Sequence, residues 1–365
     1  MDPKNRLNTN AEHVNLQISK VRERGSRLRD SVITLAHGAG GKASAALVQH
    51  VFFEIFDNEA LHAAGDSGIV ELSALGEGTQ LAMSTDTYVV NPIEFPGGSI
   101  GELAVNGTVN DLAVAGACPK VITAAFVLEE GLDVDTLRRI CTDMKHAAEM
   151  AGVKIIAGDT KVVPKGACDK LYITTAGVGV VQQGRESLPS RVEVGDAVLV
   201  SGPIADHGMA VMMARGDLAM EAAIDSDTRS VNHLIDAMCK QAETHFMRDA
   251  TRGGVATVCN ELAQASGLAV VLEDESIPVR PMTRGACDVL GIDPLYVANE
   301  GTFIAVVKGS DAQAALEALH AAGAEEAAII GRIADSPAHS VVLRTGFGGT
   351  RMVDMLVGDP LPRIC

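Results

Sequence analysis

Four aspartates in this sequence stand where a carboxylate could take part in metal and phosphate chemistry. Asp66, Asp86 and Asp159 fall where β-like runs end or in glycine-rich turns, and α/β proteins bind their ligands at strand ends. Asp111 follows Asn110 inside an apolar helical pattern, where an unpaired carboxylate would be costly. Carboxylates from separate strands, with few histidines or cysteines nearby, are typical of Mg²⁺ sites that carry nucleotide phosphates. Taken singly, each is also explained as a helix cap or turn residue.

A glycine-rich segment at residues 37–42, His-Gly-Ala-Gly-Gly-Lys, precedes a helical pattern. The backbone N–H groups of Gly38, Gly40 and Gly41 could converge there on an anion, with Lys42 beside them. The segment matches neither a Walker A loop nor the G-x-G-x-x-G pattern. A phosphate cradle and a plain tight turn therefore both stay open for it.

A second segment, residues 248–254, leads directly into another helical pattern. It combines a carboxylate, a hydroxyl and two guanidinium groups, on Asp249, Thr251, Arg248 and Arg252. At a helix N-terminus these groups could hold phosphate and its metal, and a solvated helix cap is the alternative. Lys161 and Glu300 are ionisable groups in turn contexts beside apolar strands, and surface placement is the default expectation for both.

Cys365 ends a proline-containing segment, where a cysteine used for packing would make little sense. Pro360 and Pro362 favour an extended form, in which the last seven residues reach roughly 23 Å. A thiol on such an arm can be carried from one active site to another. The alternative is a frayed terminus that happens to hold a cysteine.

The elements that would position these residues alternate between β-like runs and helical patterns. Strands are predicted at 80–84, 121–128, 153–157, 171–181, 197–201, 268–272, 303–307 and 340–344. Helices are predicted at 43–57, 100–117, 133–151, 208–215, 228–242 and 255–266. A polar loop near residues 182–196 divides the two series. The fold class is therefore α/β, with layered helices and sheets in two domains in series.

The predicted organisation has four parts. Residues 1–31 are a flexible N-terminal extension, because their few apolar residues show no long periodic pattern. An N-terminal domain covers 32–187 and a C-terminal α/β domain covers 188–350. Residues 351–365 form a mobile tail that ends in the candidate carrier cysteine.

Composition restricts the partners. Of the 365 residues, 47% are hydrophobic, which is enough to fill two cores, and the formal net charge of −17 disfavours nucleic acid and anionic membranes. Seven cysteines show no C-x-x-C pair and no zinc-like spacing, as expected of reduced thiols. No apolar run of membrane-spanning length and no signal peptide is found, so a cytoplasmic protein is predicted.

Several motifs together resemble the HypE family of hydrogenase maturation proteins. That family lies in the superfamily of aminoimidazole ribonucleotide synthetase, thiamine-monophosphate kinase and selenophosphate synthetase. The resemblance runs from about residue 32 to 365, and the segments that carry it are 36–41, 84–88, 95–98, 110–111, 128–131, 158–163, 249–254, 298–301 and 362–365. The last of these, Pro-Arg-Ile-Cys, is highly specific.

The resemblance implies an enzyme that needs ATP and Mg²⁺. In such a protein a partner, HypF, loads a carbamoyl group onto Cys365, and the thiocarboxamide is dehydrated to a thiocyanate. The cyano group then passes to a HypC–HypD complex and to the iron of a [NiFe]-hydrogenase. The resemblance also implies a homodimer whose N-terminal domains pair and complete the nucleotide site.

The same resemblance assigns roles to the candidate residues. The implied Mg²⁺ and phosphate ligands are Asp66, Asp86, Asp111, Asp159 and Asp249. The glycine loop would lie over the phosphates, and the cofactor-binding set also includes Lys42, Asn110, Thr160 and Thr251. Lys161 would contact the transferring phosphoryl group or assist proton transfer, and Glu300 would orient or deprotonate the carbamoyl nitrogen. A kinase of the same superfamily and a non-catalytic scaffold that presents its tail are the alternatives, although a kinase leaves Cys365 unexplained.

Overall fold

The computed structural model of the chain describes residues 41–47, 49–50, 68–71, 80–216 and 223–356. Within them, helices and strands form two α/β units in series, each built on its own sheet. The predicted extension at 1–31 and the tail beyond residue 356 lie outside the described residues.

The first unit is a five-stranded sheet with helices on one face. Its elements are α1 (Lys42–Leu47), β1 (Gly68–Glu71), β2 (Gln80–Tyr88), β3 (Glu94–Phe95), β4 (Gly98–Ser99), α2 (Ile100–Val114), β5 (Ala117–Glu129), α3 (Val134–Ala151), β6 (Lys154–Val163) and β7 (Leu171–Val181). The strand order is β1-β2-β7-β5-β6, in which β6 is parallel to β5 and the other pairs are antiparallel. The short strands β3 and β4 form a separate hairpin.

Helix α2 lies against one face of this sheet and is buried almost all round, as its apolar sequence predicts. It begins at a capping box formed by Ser99 and Glu102. Two glycines allow its neighbours to come close. A Cβ at Gly101 would lie 2.3 Å from the Ile140 carbonyl oxygen of α3, and one at Gly107 would lie 2.1 Å from the Tyr88 hydroxyl of β2.

The second unit is a seven-stranded mixed sheet with helices. Its elements are β8 (Ala197–Val200), α4 (Asp206–Ala214), α5 (Asn232–Cys239), β9 (Thr244–Asp249), α6 (Gly254–Ser266), β10 (Ala269–Glu273), α7 (Pro281–Leu290), β11 (Phe303–Val307), α8 (Ala312–Ala321), β12 (Ala328–Ala334), β13 (Ser340–Arg344) and β14 (Thr350–Val353). The strand order is β14-β13-β10-β12-β8-β11-β9, with β10 and β13 parallel and the other pairs antiparallel.

The two units share buried cores across their boundary. One core joins Tyr88 and Leu103 of the first unit to Met209 and Val297 of the second. Another joins Val114, at the end of α2, to side chains around the second sheet. Helix α2 therefore lies between the first sheet and the second unit and can carry residues that contact both.

Within the described residues the predicted strands are confirmed, and the predicted helices are confirmed with shifted ends. The helix predicted at 43–57 is described only up to residue 50, and residues 351–353 of the predicted tail lie in β14. Other details are wrong. Asp86 and Asp159 lie inside β2 and β6, not at strand ends, because backbone pairing with β7 and β5 continues through their polar neighbours. Residues 228–231 are not helical, and α5 begins only at Asn232. Within the described ranges no helix combines the length and apolarity that a membrane span requires.

Candidate active site

The layer between the first sheet and α2 holds two of the candidate aspartates. Every second side chain of β2 lies on the side that faces α2, and these include Ser84, Asp86 and Tyr88. The Ser84 hydroxyl donates a 2.6 Å hydrogen bond to the Asp111 carboxylate of α2. The expectation that Asp111 needs a partner is met by this hydroxyl. The structure thus brings Asp86 and Asp111 to the same layer between sheet and helix.

Tyr88 belongs to this layer and was not singled out from the sequence. Its ring is fully buried, and burial raises the pKa of its hydroxyl well above the ordinary value, with further contributions from Asp86, Asp111 and Glu300. A hydrogen bond with Thr108 would lower that pKa, but the Thr108 hydroxyl is bonded to the Thr175 hydroxyl. Among the described residues the Tyr88 hydroxyl oxygen has no hydrogen-bond partner of ordinary geometry. It is a buried polar atom that lies against Gly107 of α2 and is close enough to Asp86, Asp111 and Glu300 for their charges to act on it.

Glu300 lies in the turn that precedes β11, and the expectation of a surface position is wrong for it. Only 4% of this residue is exposed. Burial raises the pKa of its carboxyl well above the ordinary value, and Asp249, Asp227 and Asp86 raise it further, in that order. Arg252 acts in the opposite direction. The structure therefore brings Glu300 near Asp249 of the second sheet and Asp86 of the first.

Residues 248–254 carry the chain from β9 into α6, as the sequence predicts. Asp249 is the buried last residue of β9, and the Thr251 carbonyl accepts a 2.7 Å hydrogen bond from the Gly254 amide. A Cβ at Gly253 would lie 2.1 Å from the Thr257 hydroxyl, and its φ of +76° favours glycine. The Arg248 guanidinium is bonded to the Glu261 carboxylate of α6.

Asn110 lies on α2 but contacts the second unit. Its side-chain amide donates to the carbonyl oxygens of Arg229 (3.0 Å) and Glu300 (3.2 Å), and its side-chain oxygen accepts from the Val231 amide at 2.8 Å. Every polar group of the Asn110 side chain is therefore bonded to backbone. In this arrangement Asn110 holds the backbone of the candidate site.

Asp159 and Lys161 lie on the outer face of the same sheet. Across the sheet, Asp159 is in register with Ala125 of β5 and, through it, with Thr174 of β7. Asp86 is in register with Thr175, the next residue of β7. Because side chains alternate between faces along a strand, the two aspartates project from opposite faces. Within one chain, Asp159 and Lys161 are not brought to Asp86, Asp111 or Glu300.

The Asp159 and Lys161 side chains form an exposed ion pair. The Lys161 ammonium donates to both Asp159 oxygens at 2.8 and 2.6 Å, although the two side chains are 62% and 69% exposed. This bond, followed by one from the Thr160 amide, lowers the pKa of the Asp159 carboxyl from its ordinary value. The Thr160 side chain is exposed on the edge strand, in register with Phe126 of β5.

The glycine-rich segment is described only at its end. Gly38, Gly40, Asp66 and Cys365 lie outside the described residues. Gly41 is buried, and the Lys42 amide donates a 3.4 Å hydrogen bond to the Leu356 carbonyl. The Lys42 ammonium also lies 3.7 Å from an Asp354 carboxylate oxygen. The last described residues of the chain thus lie beside the helix that follows the glycine-rich segment.

The donor atoms of this site are of the type that binds Mg²⁺ together with a nucleotide. Asp86, Asp249 and Glu300 supply oxygen donors, which Mg²⁺ prefers, and their mutual effect on the Glu300 pKa shows a local excess of negative charge. Within the described ranges, no three His, Cys, Asp or Glu residues are close enough to hold a metal ion. Mg²⁺ commonly takes one or two carboxylates and completes its shell with waters and phosphate oxygens. These residues suit an ion that arrives with a nucleotide.

Two family models match this chain, one for each unit. The model of the AIR synthase related protein, N-terminal domain, matches residues 64–181, and that of the C-terminal domain matches residues 193–344. Two α/β domains of this type in series, as predicted, are thereby confirmed. The carbamoyl dehydratase HypE of Rhodobacter capsulatus is 49% identical over 344 residues, which cover 93% of this chain and 99% of that protein.

Two solved structures of HypE proteins are similar to this chain in fold. HypE in a HypE–HypF complex superimposes with a TM-score of 0.80 at 43% identity, covering 85% of this chain and all of that one. HypE in complex with ATP gives a TM-score of 0.75 at 42% identity, covering 92% of this chain and all of that one. By sequence and by fold, this chain belongs to the carbamoyl dehydratase HypE family of the AIR synthase related proteins.

Proposed function

We propose that this protein uses ATP to dehydrate a carbamoyl group carried on its own Cys365, converting a thiocarboxamide to a thiocyanate. The observation that carries this proposal is the 49% identity to a carbamoyl dehydratase HypE over 93% of the chain. The position of Asp354 and Leu356 beside Lys42 supports it, because it starts the tail next to the glycine-rich segment. The product would supply the cyanide ligand of a [NiFe]-hydrogenase.

The reaction removes one oxygen and two protons from the carbamoyl group. When bound, ATP with Mg²⁺ supplies the phosphoryl group that turns the amide oxygen into a phosphate leaving group. The Mg²⁺ and phosphate ligands would be Asp66, Asp86, Asp111, Asp159 and Asp249. Lys42, Asn110, Thr160, Thr251 and the Gly38–Gly41 loop would lie around the nucleotide. The sulphur–carbon bond is kept throughout, so the cyano carbon stays on Cys365.

Glu300 is the proposed acceptor of one carbamoyl N–H proton, and the other N–H proton would leave with the phosphate. A carboxylate with a raised pKa is a stronger base than an ordinary one, and a buried position keeps water from competing for the proton. Lys161 would stabilise negative charge on the transferring phosphoryl group or assist proton transfer. Its exposed position on the outer face means that a second chain has to bring it to the site.

A homodimer through the outer face of the first sheet accounts for that position. The face presents an apolar row of Met83, Val178 and Val121, with Met83 59% exposed. An uncovered apolar sheet face of this kind is typical of a protein interface. A second copy packed there would cover the row and carry its own Asp159 and Lys161 toward the neighbouring site.

The remaining partners follow from the proposed chemistry. HypF would load the carbamoyl group, in keeping with the HypE–HypF complex formed by a relative at 43% identity. A HypC–HypD complex would accept the cyano group. A cytoplasmic location suits a protein that consumes ATP, and the net charge of −17 argues against nucleic acid or anionic membranes as partners.

Mass spectrometry of the C-terminal peptide tests the function. We expect incubation with HypF, carbamoyl phosphate and ATP to give a carbamoyl adduct on Cys365 that then loses the mass of one water. Cys365→Ala should form no adduct, and Asp86→Ala or Lys161→Ala should keep the adduct without dehydrating it. Cys141→Ala and Lys165→Ala remove an exposed thiol and an exposed ammonium elsewhere and serve as matched controls.

The same experiment separates the alternatives. A kinase acting on a small molecule would consume ATP equally well in the Cys365→Ala variant. A scaffold that only presents its tail would accept the carbamoyl group and never lose water. Full dehydration by Asp86→Ala or Lys161→Ala would contradict the site assignment and leave the overall reaction standing.

A further inference from the structure

The Asp227 carboxylate holds the backbone of the Glu300 turn. One of its oxygens accepts a 2.9 Å hydrogen bond from the Glu300 amide, and the other accepts a 3.0 Å hydrogen bond from the Gly301 amide. Two successive N–H groups bonded to one carboxylate fix the orientation of the peptide between them. None of the sequence motifs described above includes Asp227, so none of them assigns it a role.

The two carbonyl groups of the same turn are also bonded to side chains. The Arg229 guanidinium donates to the Gly301 carbonyl at 3.0 Å, and the Asn110 amide donates to the Glu300 carbonyl at 3.2 Å. A Cβ at Gly301 would lie 1.8 Å from the Asp227 carbonyl oxygen, so only glycine allows this approach. The backbone N–H and carbonyl groups of Glu300 and Gly301 are therefore all bonded to side chains of Asp227, Arg229 and Asn110.

Asp227 is itself held by both units. It belongs to residues 223–231, a non-helical stretch of the second unit that contacts the first unit and is called the interdomain segment here. The Ser226 amide donates to the Pro96 carbonyl at 2.8 Å, and the Asn106 amide of α2 donates to the Thr228 hydroxyl at 3.2 Å. The interdomain segment thus connects the first unit to the turn that carries Glu300.

We propose that Asp227 is a positioning residue that orients Glu300 for its reaction with the carbamoyl group; this rests on the proposed function of Glu300. The carboxyl of Glu300 is separated from its backbone by few bonds, so a tilt of the peptide displaces it. A displacement of about 1 Å at a reacting group can lower a rate by about 100-fold. Asp227 itself touches neither substrate nor nucleotide in this assignment.

The test compares Asp227→Asn with Asp225→Asn. Asp227→Asn keeps the shape but turns an N–H₂ group toward one of the two amides, so one bond is lost. Asp225 is exposed in the same segment, and its variant makes the same change of charge. We expect kcat for dehydration of the carbamoylated full-length chain to fall about 10- to 100-fold in Asp227→Asn, with KM for ATP changed less than about twofold. Asp225→Asn should behave as the unaltered protein.

A double-mutant cycle with Glu300→Gln separates positioning from general damage to the fold. If Asp227 acts through Glu300, Asp227→Asn should lower the residual rate of the Glu300→Gln protein less than about twofold. Equal losses in both backgrounds, or a rise of KM in parallel with the fall of kcat, would overturn the inference. Thermal unfolding is followed for each variant.

Asn110→Ser gives a second route to the same answer if Asp227→Asn does not fold. It removes the bond to the Glu300 carbonyl from the opposite side, together with the bonds to Arg229 and Val231, and should show the same lack of additivity with Glu300→Gln. The two hypotheses fail differently. No effect of Glu300→Gln on dehydration would contradict the proposed role of Glu300, whereas a large effect of Glu300→Gln with none of Asp227→Asn would contradict only the positioning role.

Discussion

Glu300 and Asp159 are both carboxylates of the proposed active site, but the chain holds them in opposite ways. Glu300 is buried in a turn whose backbone groups are bonded to Asp227, Arg229 and Asn110. Asp159 lies on an edge strand, exposed, with Lys161 as its bonded partner side chain. The first arrangement is complete within one chain. The second depends on what approaches the outer face of the sheet.

The pKa shifts follow from the two environments. Burial and neighbouring carboxylates raise the pKa of Glu300, whereas the bond from Lys161 lowers the pKa of Asp159. Two carboxylates thus have pKa values shifted in opposite directions, as the proposed roles of Glu300 as proton acceptor and Asp159 as anion require. In the proposed dimer, a base positioned within one chain would be combined with charges supplied by the other chain.

The largest expected effect comes from mixing two inactive variants. Lys161→Ala and Glu300→Gln should each dehydrate the carbamoylated tail very slowly. In a hybrid dimer, one site combines intact Glu300 from one chain with intact Lys161 from the other. Random mixing makes half of the dimers hybrids with one intact site of two, so we expect about a quarter of the original rate to return. Single-turnover dehydration after dissociation and remixing measures it.

Mixing either variant with itself is the control and should return nothing. Absence of recovery in a mixture shown to contain hybrid dimers would mean that Lys161 serves its own chain. That result would break the comparison, because both residues would then belong to one chain's site. A monomer at every concentration tested would do the same.

Much of the inner layer could be predicted from the sequence, because it depends on local patterns. The apolar pattern around Asp111 predicts a buried helix, although the strand predicted at 80–84 stops before Asp86. The segment that ends in Asp249 and Thr251 could likewise be placed before a helix. These predictions use neighbours in the chain, where periodicity is informative.

The placement of Glu300, Asp159 and Tyr88 could not be predicted in this way. Glu300 is buried by the interdomain segment, which is distant in sequence and has no periodic pattern. β6 is exposed on both faces, so alternation gives no sign of which side Asp159 takes. The buried position of the Tyr88 hydroxyl depends on its close approach to Gly107, and only the packing of α2 on the sheet creates that approach.

A smaller effect concerns the pH dependence of stability. The folded chain binds a proton at Glu300 more tightly than the unfolded chain, whose ordinary pKa is 4.5. Its stabilisation is therefore full below pH 4.5 and is lost as the pH rises toward the folded-state pKa. Glu300→Gln has no such loss. We expect its unfolding free energy relative to the unaltered protein to increase between pH 4.5 and 8, by about 1.4 kcal/mol for each tenfold difference in the acid constant.

Glu243→Gln provides the control of opposite sign. Lys308 lowers the pKa of the exposed Glu243 carboxyl, so its stabilisation is present above pH 4.5 and is lost as the solution becomes acid. The difference between this variant and the unaltered protein should shrink toward low pH. Chemical unfolding at several pH values measures both variants. A Glu300→Gln difference that does not vary with pH would show that Glu300 is not held by burial.

The smallest expected effect is on the stability contributed by Asp159 and Lys161. Their side chains are 62% and 69% exposed, and exposed ion pairs contribute about 0–1 kcal/mol because water and salt screen the charges. Asp159→Asn should therefore unfold at nearly the same denaturant concentration as the unaltered protein when the chain is kept monomeric by dilution. In the proposed dimer the same change should slow dehydration, since the ion pair would then lie at the shared site. Loss of more than about 2 kcal/mol in the monomer would mean that Asp159 is part of the fold of its own chain, and the contrast with Glu300 would disappear.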